Sequence, residues 1–181
     1  MLKVSVITAC YNSASTIRDT LDSVVNQDFQ NVEYIIIDGA SSDNTLEIVK
    51  SYGNRINKIS SGKDGGIYPA LNKGISMASG DIIALLHSDD FYTHPKVISN
   101  MVALFENSGC DAAYADLQYV NSEKTDNIIR HWKSGKYKNG LFLSGWMPPH
   151  PTLFIRKSVY DKFGVFNTSL QSAADYEFML R

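Results

Sequence analysis

The sequence predicts an α/β fold with a mostly parallel, Rossmann-like sheet flanked by helices, and two observations lead to that prediction. Through the first 110 residues, short apolar runs alternate with segments whose apolar residues recur at helical spacing. Strand–helix alternation of this kind builds a mostly parallel sheet with helices on both faces. The chain has 181 residues, of which 44% are hydrophobic, and this is enough for one domain with a buried core.

Four strands are expected in this first half, and three of them are short, largely apolar runs rich in β-branched residues. Runs of this length and composition are typical of strands that are buried on both faces of a sheet. The expected strands are Val4–Ile7, Val32–Ile37, Ile56–Ile59 and Ile82–Leu86.

The four helices of the first half are predicted from apolar residues on one face and from residues that begin or end helices. Ser13 or Ser15 can cap the first helix, and Gly80 ends the third. Pro95 suits the first turn of the fourth helix. The apolar faces are, in chain order, Ile17, Leu21, Val24 and Val25; Leu46 and Val49; Ile67, Leu71, Ile75 and Ala78; Val97, Met101, Leu104 and Phe105.

The pattern changes after residue 111, where a smaller mixed region is expected. The stretch 133–151 is rich in glycine and proline and is expected to be a loop. A last helix over 173–181 lacks a closing Gly, Asn or Pro, so the chain is expected to be truncated at its C-terminus. Short strands are predicted at Ala112–Tyr114, Leu117–Val120, Ile128–Trp132 and Thr152–Ile155.

Composition and charge narrow the classes of function. With 17 basic and 19 acidic residues, a net charge of −2 gives no support for nucleic-acid binding. No apolar run has the length of a membrane span or the features of a signal peptide. Cys10 and Cys110 lie far apart without a metal-binding pattern, so free thiols in a reducing compartment are expected. The chain is therefore predicted to be cytoplasmic, in solution or at the inner face of the membrane.

Acidic residues follow two of the predicted strands. Asp38 ends the second strand, and Asp89 and Asp90 follow the fourth in the sequence HSDD. Ligands of open α/β sheets bind beyond the carboxyl ends of the strands. Two adjacent carboxylates repel each other, which favours Mg²⁺ or Mn²⁺ shared with phosphate oxygens; an ordinary polar turn is the alternative. Neither GxGxxG nor a P-loop is present, so a metal would have to hold the phosphates of a nucleotide.

Four segments resemble the inverting family 2 glycosyltransferases of GT-A fold, especially bacterial enzymes of cell-surface polysaccharide synthesis. They follow the family's order and spacing almost from end to end. The segments are VSVITACYN, IIIDGASSDNT, SGKDGGIYPALNKGISMASGDIIALLHSDDFY and PPHPTLFIRKSVYDKFGVFNTSLQSAADYEFMLR. The resemblance implies a single GT-A domain over 1–181, with a nucleotide-sugar-binding half (1–110) and an acceptor-side half (111–181).

The resemblance also implies a role for seven residues. Asp175 would be the general base, and Asp90 the main ligand of the divalent metal. Residues implied to contact the nucleotide sugar are Thr8, Asp38, Asp64, Asn72 and Asp89. The chain departs from the usual family pattern at His87, where an acid is common, at Leu71, where arginine is common, and at Ala174, where glutamate is common.

A purely structural role is the alternative interpretation for several of these residues. Asp38 could cap a helix, and Asp175 could be an acid favoured by the dipole at a helix N-terminus. His150, which lies between prolines, could line the acceptor site or merely fix a loop, and Tyr68 could stack on a sugar or belong to the core.

The function implied by the resemblance is transfer of a sugar from a nucleoside-diphosphate donor, a UDP-sugar by preference, to a hydroxyl of a saccharide or lipid-linked acceptor. Two other classes are kept as alternatives. A nucleotidyltransferase that makes the activated sugar would release pyrophosphate, and a non-catalytic module would bind the nucleotide sugar without turnover.

Overall fold

The structure is a computed structural model that describes residues 1–181. Its strands are β1 (Val4–Cys10), β2 (Val32–Asp38), β3 (Lys58–Ser61), β4 (Ile82–Leu85), β5 (Ala112–Ala113), β6 (Leu117–Val120), β7 (Ile128–Trp132) and β8 (Phe154–Arg156). Six of these form one sheet in the order β3-β2-β1-β4-β8-β5, and β6 pairs with β7 in a separate hairpin. Strands β3, β2, β1 and β4 are parallel, whereas β8 is antiparallel to both of its neighbours. The predicted α/β class with a mostly parallel sheet is confirmed.

Six helices flank the sheet, with short 3₁₀ turns at Gly53–Arg55, Leu141–Ser144 and His150–Thr152. The helices are α1 (Ile17–Val25), α2 (Thr45–Ser51), α3 (Ile67–Met77), α4 (Val97–Ser108), α5 (Lys157–Phe163) and α6 (Ala174–Leu180). None of them combines the length and the apolar character that a bilayer-spanning helix requires.

The core lies in two layers, one on each face of the sheet. Successive side chains of a strand point to opposite faces, so Val4 and Val6 join α1, α2 and α4, whereas Ile7 and Ala9 join α3 and the C-terminal helices α5 and α6. At Gly74 an added Cβ would collide with Ile7, so this glycine lets α3 lie directly against β1. Helix α3 is thereby packed against one face of the sheet, and its N-terminus lies near the carboxyl ends of the parallel strands.

Several local predictions differ from the structure. Strand β1 continues to Cys10, three residues beyond its predicted end at Ile7, because its neighbour β2 pairs with it over the whole length. Leu104, expected on the apolar face of α4, is 50% exposed. No side chain caps α1. Helix α5 (KSVYDKF) was not predicted, because Arg156 precedes it and no capping-type residue marks its start. The equally short α2 follows the residues SSDN, which signal a helix start.

Candidate active site

A large cleft lies beyond the carboxyl ends of the parallel strands, where the sequence predicted a ligand. It has a cavity volume of about 710 Å³, which is ample for a nucleotide sugar. The loops after β1, β2, β3 and β4 all contribute to it, and we call it the donor cleft. Its lining consists of Ala9, Cys10, Tyr11, Ser13, Gly39, Ala40, Lys63, Asp64, Gly65, Gly66, Ile67, Ala70, His87, Ser88 and Asp89.

Asp38 and Thr8 lie beneath this cleft rather than on its surface. Asp38 is 1% exposed, accepts a hydrogen bond from the Ser61 hydroxyl at 2.6 Å, and receives the Ser41 N–H at 3.3 Å. Thr8 is fully buried, and its hydroxyl meets that of Tyr34 at 3.2 Å. In these positions Asp38 shapes the loop that follows β2, and that loop supplies Gly39 and Ala40 to the cleft wall.

Asp64 reaches the cleft from the loop between β3 and α3. Its Oδ1 accepts a hydrogen bond from the Gly66 N–H at 3.0 Å, which fixes the turn into α3. A Cβ at Gly39 would lie only 3.0 Å from Asp64 Oδ2, so glycine at position 39 permits the two loops to approach each other. The carboxylate of Asp64 therefore stands at a narrow part of the cleft, opposite the end of β2.

The carboxylate pair predicted to hold a metal is divided between the cleft and its margin. Asp89 is exposed and lines the donor cleft, whereas Asp90 is half-buried and does not line it. Burial and the neighbouring charge of Asp89 raise the pKa of Asp90 to about 6. No group of three or more His, Cys, Asp or Glu side chains converges as a metal cage. A cation held here would need further oxygen ligands from a substrate or from water.

A second, smaller cavity of about 140 Å³ adjoins the donor cleft, and we call it the acceptor cavity. Its walls are mainly apolar, and its polar side chains include Asp175, His150 and His87. Ile67 and His87 line both cavities, so the two share a wall. The remaining lining is Tyr68, Leu71, Leu85, Leu153, Ile155, Tyr160, Phe166, Phe178 and Met179.

Both carboxylate oxygens of Asp175 have hydrogen-bonding neighbours. Oδ2 lies 3.3 Å from His150 Nδ1, and Oδ1 lies 3.3 Å from the Tyr68 hydroxyl. The carboxylate is 20% exposed, so a ligand in the cavity can reach it. From the sequence, His150 could line the acceptor site or fix a loop, and Tyr68 could stack on a sugar or belong to the core. In the structure both side chains contact Asp175.

The two histidines of the shared wall contact each other, with Nε2 of His150 lying 3.1 Å from Nε2 of His87. Burial lowers the pKa of His150, and the nearby His87 lowers it further. Burial likewise lowers the pKa of His87. A neutral His150 that donates from Nδ1 to Asp175 leaves its Nε2 to accept a hydrogen bond from His87. The three side chains then form one hydrogen-bonded row along the wall.

Asn72 supports the site from behind. Its amide nitrogen donates to the Phe166 carbonyl at 2.8 Å, and its amide oxygen accepts the Phe166 N–H at 2.9 Å. Both ends of the amide are thus engaged with the backbone, and Asn72 lines neither cavity. The pairing ties α3 to the segment that leads into α6 and Asp175.

Comparisons with known proteins identify the family that the chain resembles. The model of the family described as "Glycosyl transferase family 2" matches residues 5–164. An uncharacterised glycosyltransferase of Mycobacterium tuberculosis is 31% identical over 180 residues, which are 98% of this chain and 68% of that protein. A PGL/p-HBAD biosynthesis glycosyltransferase of Mycobacterium bovis is 25% identical over 181 residues, with the same coverage of 98% and 68%.

Solved structures show the same architecture. Residues 1–349 of TarS from S. aureus, in complex with UDP-GlcNAc, align with a TM-score of 0.80 and 25% identity over 99% of this chain and 52% of that one. The mannosyltransferase PcManGT of Pyrobaculum calidifontis, in complex with GDP-Man and Mn²⁺, has a TM-score of 0.74 at 20% identity. The alignment covers 98% of this chain and 50% of the mannosyltransferase chain. The chain thus spans about half the length of these solved structures.

Proposed function

The chain belongs to glycosyl transferase family 2, and we propose that it transfers a sugar from a nucleoside-diphosphate donor to an acceptor hydroxyl with inversion at the anomeric carbon. We further propose that the product is part of a cell-surface polysaccharide, the role suggested by the resemblance of the four sequence segments. The observation that carries the proposal is the pair of adjoining cavities, one bordered by Asp64 and Asp89 and the other by Asp175.

The donor cleft supports the nucleotide half of the proposal. Its place beyond the parallel strand ends is where α/β sheets bind nucleotides, and Asp64 offers a carboxylate that can accept hydrogen bonds from a base or a ribose. We propose a UDP-sugar as donor, because the similar TarS structure is a complex with UDP-GlcNAc. Asp38 and Thr8, both buried, would act in this cleft by holding the backbone of its floor.

A divalent cation fits the Asp89–Asp90 pair. Burial and the adjacent charge of Asp89 raise the pKa of Asp90, and the positive charge of a bound cation would stabilise its ionised form. We propose Asp90 as a metal ligand, as the family resemblance implies, together with Asp89, which faces the cleft. When bound, Mn²⁺ or Mg²⁺ would supply positive charge against the charge that grows on the departing diphosphate.

Asp175 supplies the base in this proposal. Its carboxylate lines the acceptor cavity beside the shared wall, so it can take a proton from a hydroxyl held there. We propose that the mainly apolar lining of the cavity limits the entry of water, which would favour transfer to the acceptor over hydrolysis of the donor. An acceptor that approaches from this cavity would attack the sugar from the side opposite the departing diphosphate, and such an attack inverts the anomeric configuration.

We propose that residues 1–181 act as one catalytic domain. Strands β8 and β5, from the second half of the chain, extend the sheet of the first half, and α6 carries Asp175 to the acceptor cavity that adjoins the donor cleft. The acceptor is proposed to be a saccharide or a lipid-linked saccharide. A cytoplasmic location is proposed as well, supported by Cys10 and Cys110, which are both free thiols.

The proposal is tested by assaying the purified chain with Mn²⁺, a panel of UDP-sugars and alkyl glycosides as acceptors. The expected result is UDP release that depends on the acceptor, with a glycoside product of inverted anomeric configuration in the proton NMR spectrum. In a parallel assay with UTP and sugar 1-phosphates, release of pyrophosphate would instead identify a nucleotidyltransferase. UDP binding without any release from a UDP-sugar would identify a binding module.

A further inference from the structure

The hydroxyl of Tyr68 lies between the first turn of α6 and the carboxylate of Asp175. Its oxygen accepts a hydrogen bond from the Ala174 N–H at 3.2 Å, and its O–H donates to Asp175 Oδ1 at 3.3 Å. Because the amide N–H can only donate, the hydroxyl proton is left to point at the carboxylate. Tyr68 is therefore oriented as a donor to Asp175.

This hydroxyl also takes the place of a helix cap. Ala173, which precedes α6, has a φ of +64° and a side chain that cannot accept a hydrogen bond, and no side chain of the helix's own N-cap satisfies its first N–H groups. Tyr68 reaches one of these groups, the Ala174 N–H, from helix α3, which lies 106 residues earlier in the chain. The Tyr68 hydroxyl thus contacts two successive residues in the first turn of α6, the Ala174 N–H and the Asp175 carboxylate.

The tyrosine itself is held firmly. Its ring lies 5.7 Å from that of Phe166, whose backbone is in turn bound by Asn72. Burial, and next the charge of Asp175, raise the pKa of Tyr68, so the hydroxyl keeps its proton at neutral pH. A donor that is fixed in place and remains protonated favours one orientation of the carboxylate it faces.

We propose that Tyr68 is a positioning residue for Asp175, holding the carboxylate in one orientation, turned toward the acceptor cavity. This inference rests on the proposed function, in which Asp175 is the general base. Tyr68 makes no contribution to the lining of the donor cleft, so its effect should fall on the chemical step and not on the donor.

The test is Tyr68→Phe, which removes only the hydroxyl. The matched control is Tyr52→Phe: Tyr52 is buried and donates a hydrogen bond to the Asp22 carboxylate at 2.8 Å, but it lies in the core layer on the other face of the sheet. Loss of a hydrogen bond to a charged group is expected to lower kcat about ten- to a hundredfold in Tyr68→Phe, with the donor KM and the UDP affinity unchanged. Tyr52→Phe should keep the wild-type kcat.

A double variant separates positioning from a general structural role. In an Asp175→Asn background, Tyr68→Phe should cause no further loss of transfer, measured by mass spectrometry over long incubations, because its target carboxylate is gone. A further tenfold or greater loss, in the same range as for the single variant, would overturn the proposal. So would a Tyr68→Phe protein that turns over like the wild type, or one that loses its thermal unfolding transition altogether.

Failure of the proposed function would look different. A wild-type chain that transfers no sugar, or an Asp175→Asn variant as active as the wild type, would refute the reaction or the base. The inference about Tyr68 is overturned on its own when the wild type is active, Asp175→Asn is inactive, and Tyr68→Phe is unimpaired.

Discussion

Replacing Asp175 with asparagine separates the chemistry of the site from its stability. Asparagine has the same size, and its amide oxygen can still accept the Tyr68 hydrogen bond. The substitution removes the contact between the Asp175 carboxylate and His150, whose side chains are 20% and 43% exposed. A pair this exposed contributes about 0–1 kcal/mol to the free energy of unfolding. What catalysis loses is the base, which contributes about two to four orders of magnitude in rate, or about 3–5 kcal/mol of transition-state stabilisation. The rate effect should therefore far exceed the stability effect.

The assay follows UDP release with acceptor present, together with thermal unfolding and a UDP titration. Asp175→Asn is expected to lower kcat about a hundredfold to ten-thousandfold while UDP affinity and the unfolding midpoint stay close to those of the wild type. Glu177→Gln is the matched control, because Glu177 lies in the same helix, pairs with Arg181 at 2.9 Å and lines neither cavity. An Asp175→Asn variant that retains wild-type turnover, or a Glu177→Gln variant that loses as much activity, would refute the role of Asp175.

Three further changes test the surroundings of the site. The pKa of Asp90 is raised to about 6, so ionising this carboxyl destabilises the folded protein, and stability should fall as the pH rises from about 4 to 6. Asp90→Asn should therefore raise the unfolding free energy by about 2–3 kcal/mol at neutral pH in EDTA but not at pH 4. Equal effects at both pH values would contradict this prediction. Asp89→Ala should weaken UDP binding about tenfold or more in calorimetry with Mn²⁺ but leave it nearly unchanged in EDTA; loss of affinity in both conditions would argue against a metal-mediated role. Asn72→Ala should lower the unfolding free energy by about 2 kcal/mol, because two backbone groups of Phe166 lose their hydrogen-bond partner. The affinity for UDP should stay unchanged, and a tenfold weaker affinity would show that Asn72 also contacts the donor.

The fold class and the position of the donor cleft were predictable from local pattern. Three of the four parallel strands are short apolar runs in the sequence, and the carboxyl ends of parallel strands must meet at one edge. For this reason the strand pattern assigns Asp38 and Asp89 to the same edge of the sheet, whereas Asp64 was implied only by the family resemblance. Helix α5 was missed because no capping-type residue marks its start in the sequence.

The exposure of individual side chains could not be predicted in the same way. Asp38 stands at a strand end, as expected, but the Ser61 hydroxyl of the neighbouring strand β3 seals it beneath the cleft. His150 reaches His87 across 63 residues of sequence, and Tyr68 reaches Asp175 across 107. Such contacts depend on how the loop 133–151 and helix α6 fold back over α3, and no local sequence pattern records that arrangement.

The most direct test of where the donor binds is a crystal structure of this chain with UDP and Mn²⁺. The diphosphate is expected beside Asp89, with anomalous scattering from manganese at the Asp89–Asp90 pair and the nucleoside in contact with Gly39 and Asp64. UDP bound outside this cleft, or manganese bound away from both carboxylates, would contradict the assignment.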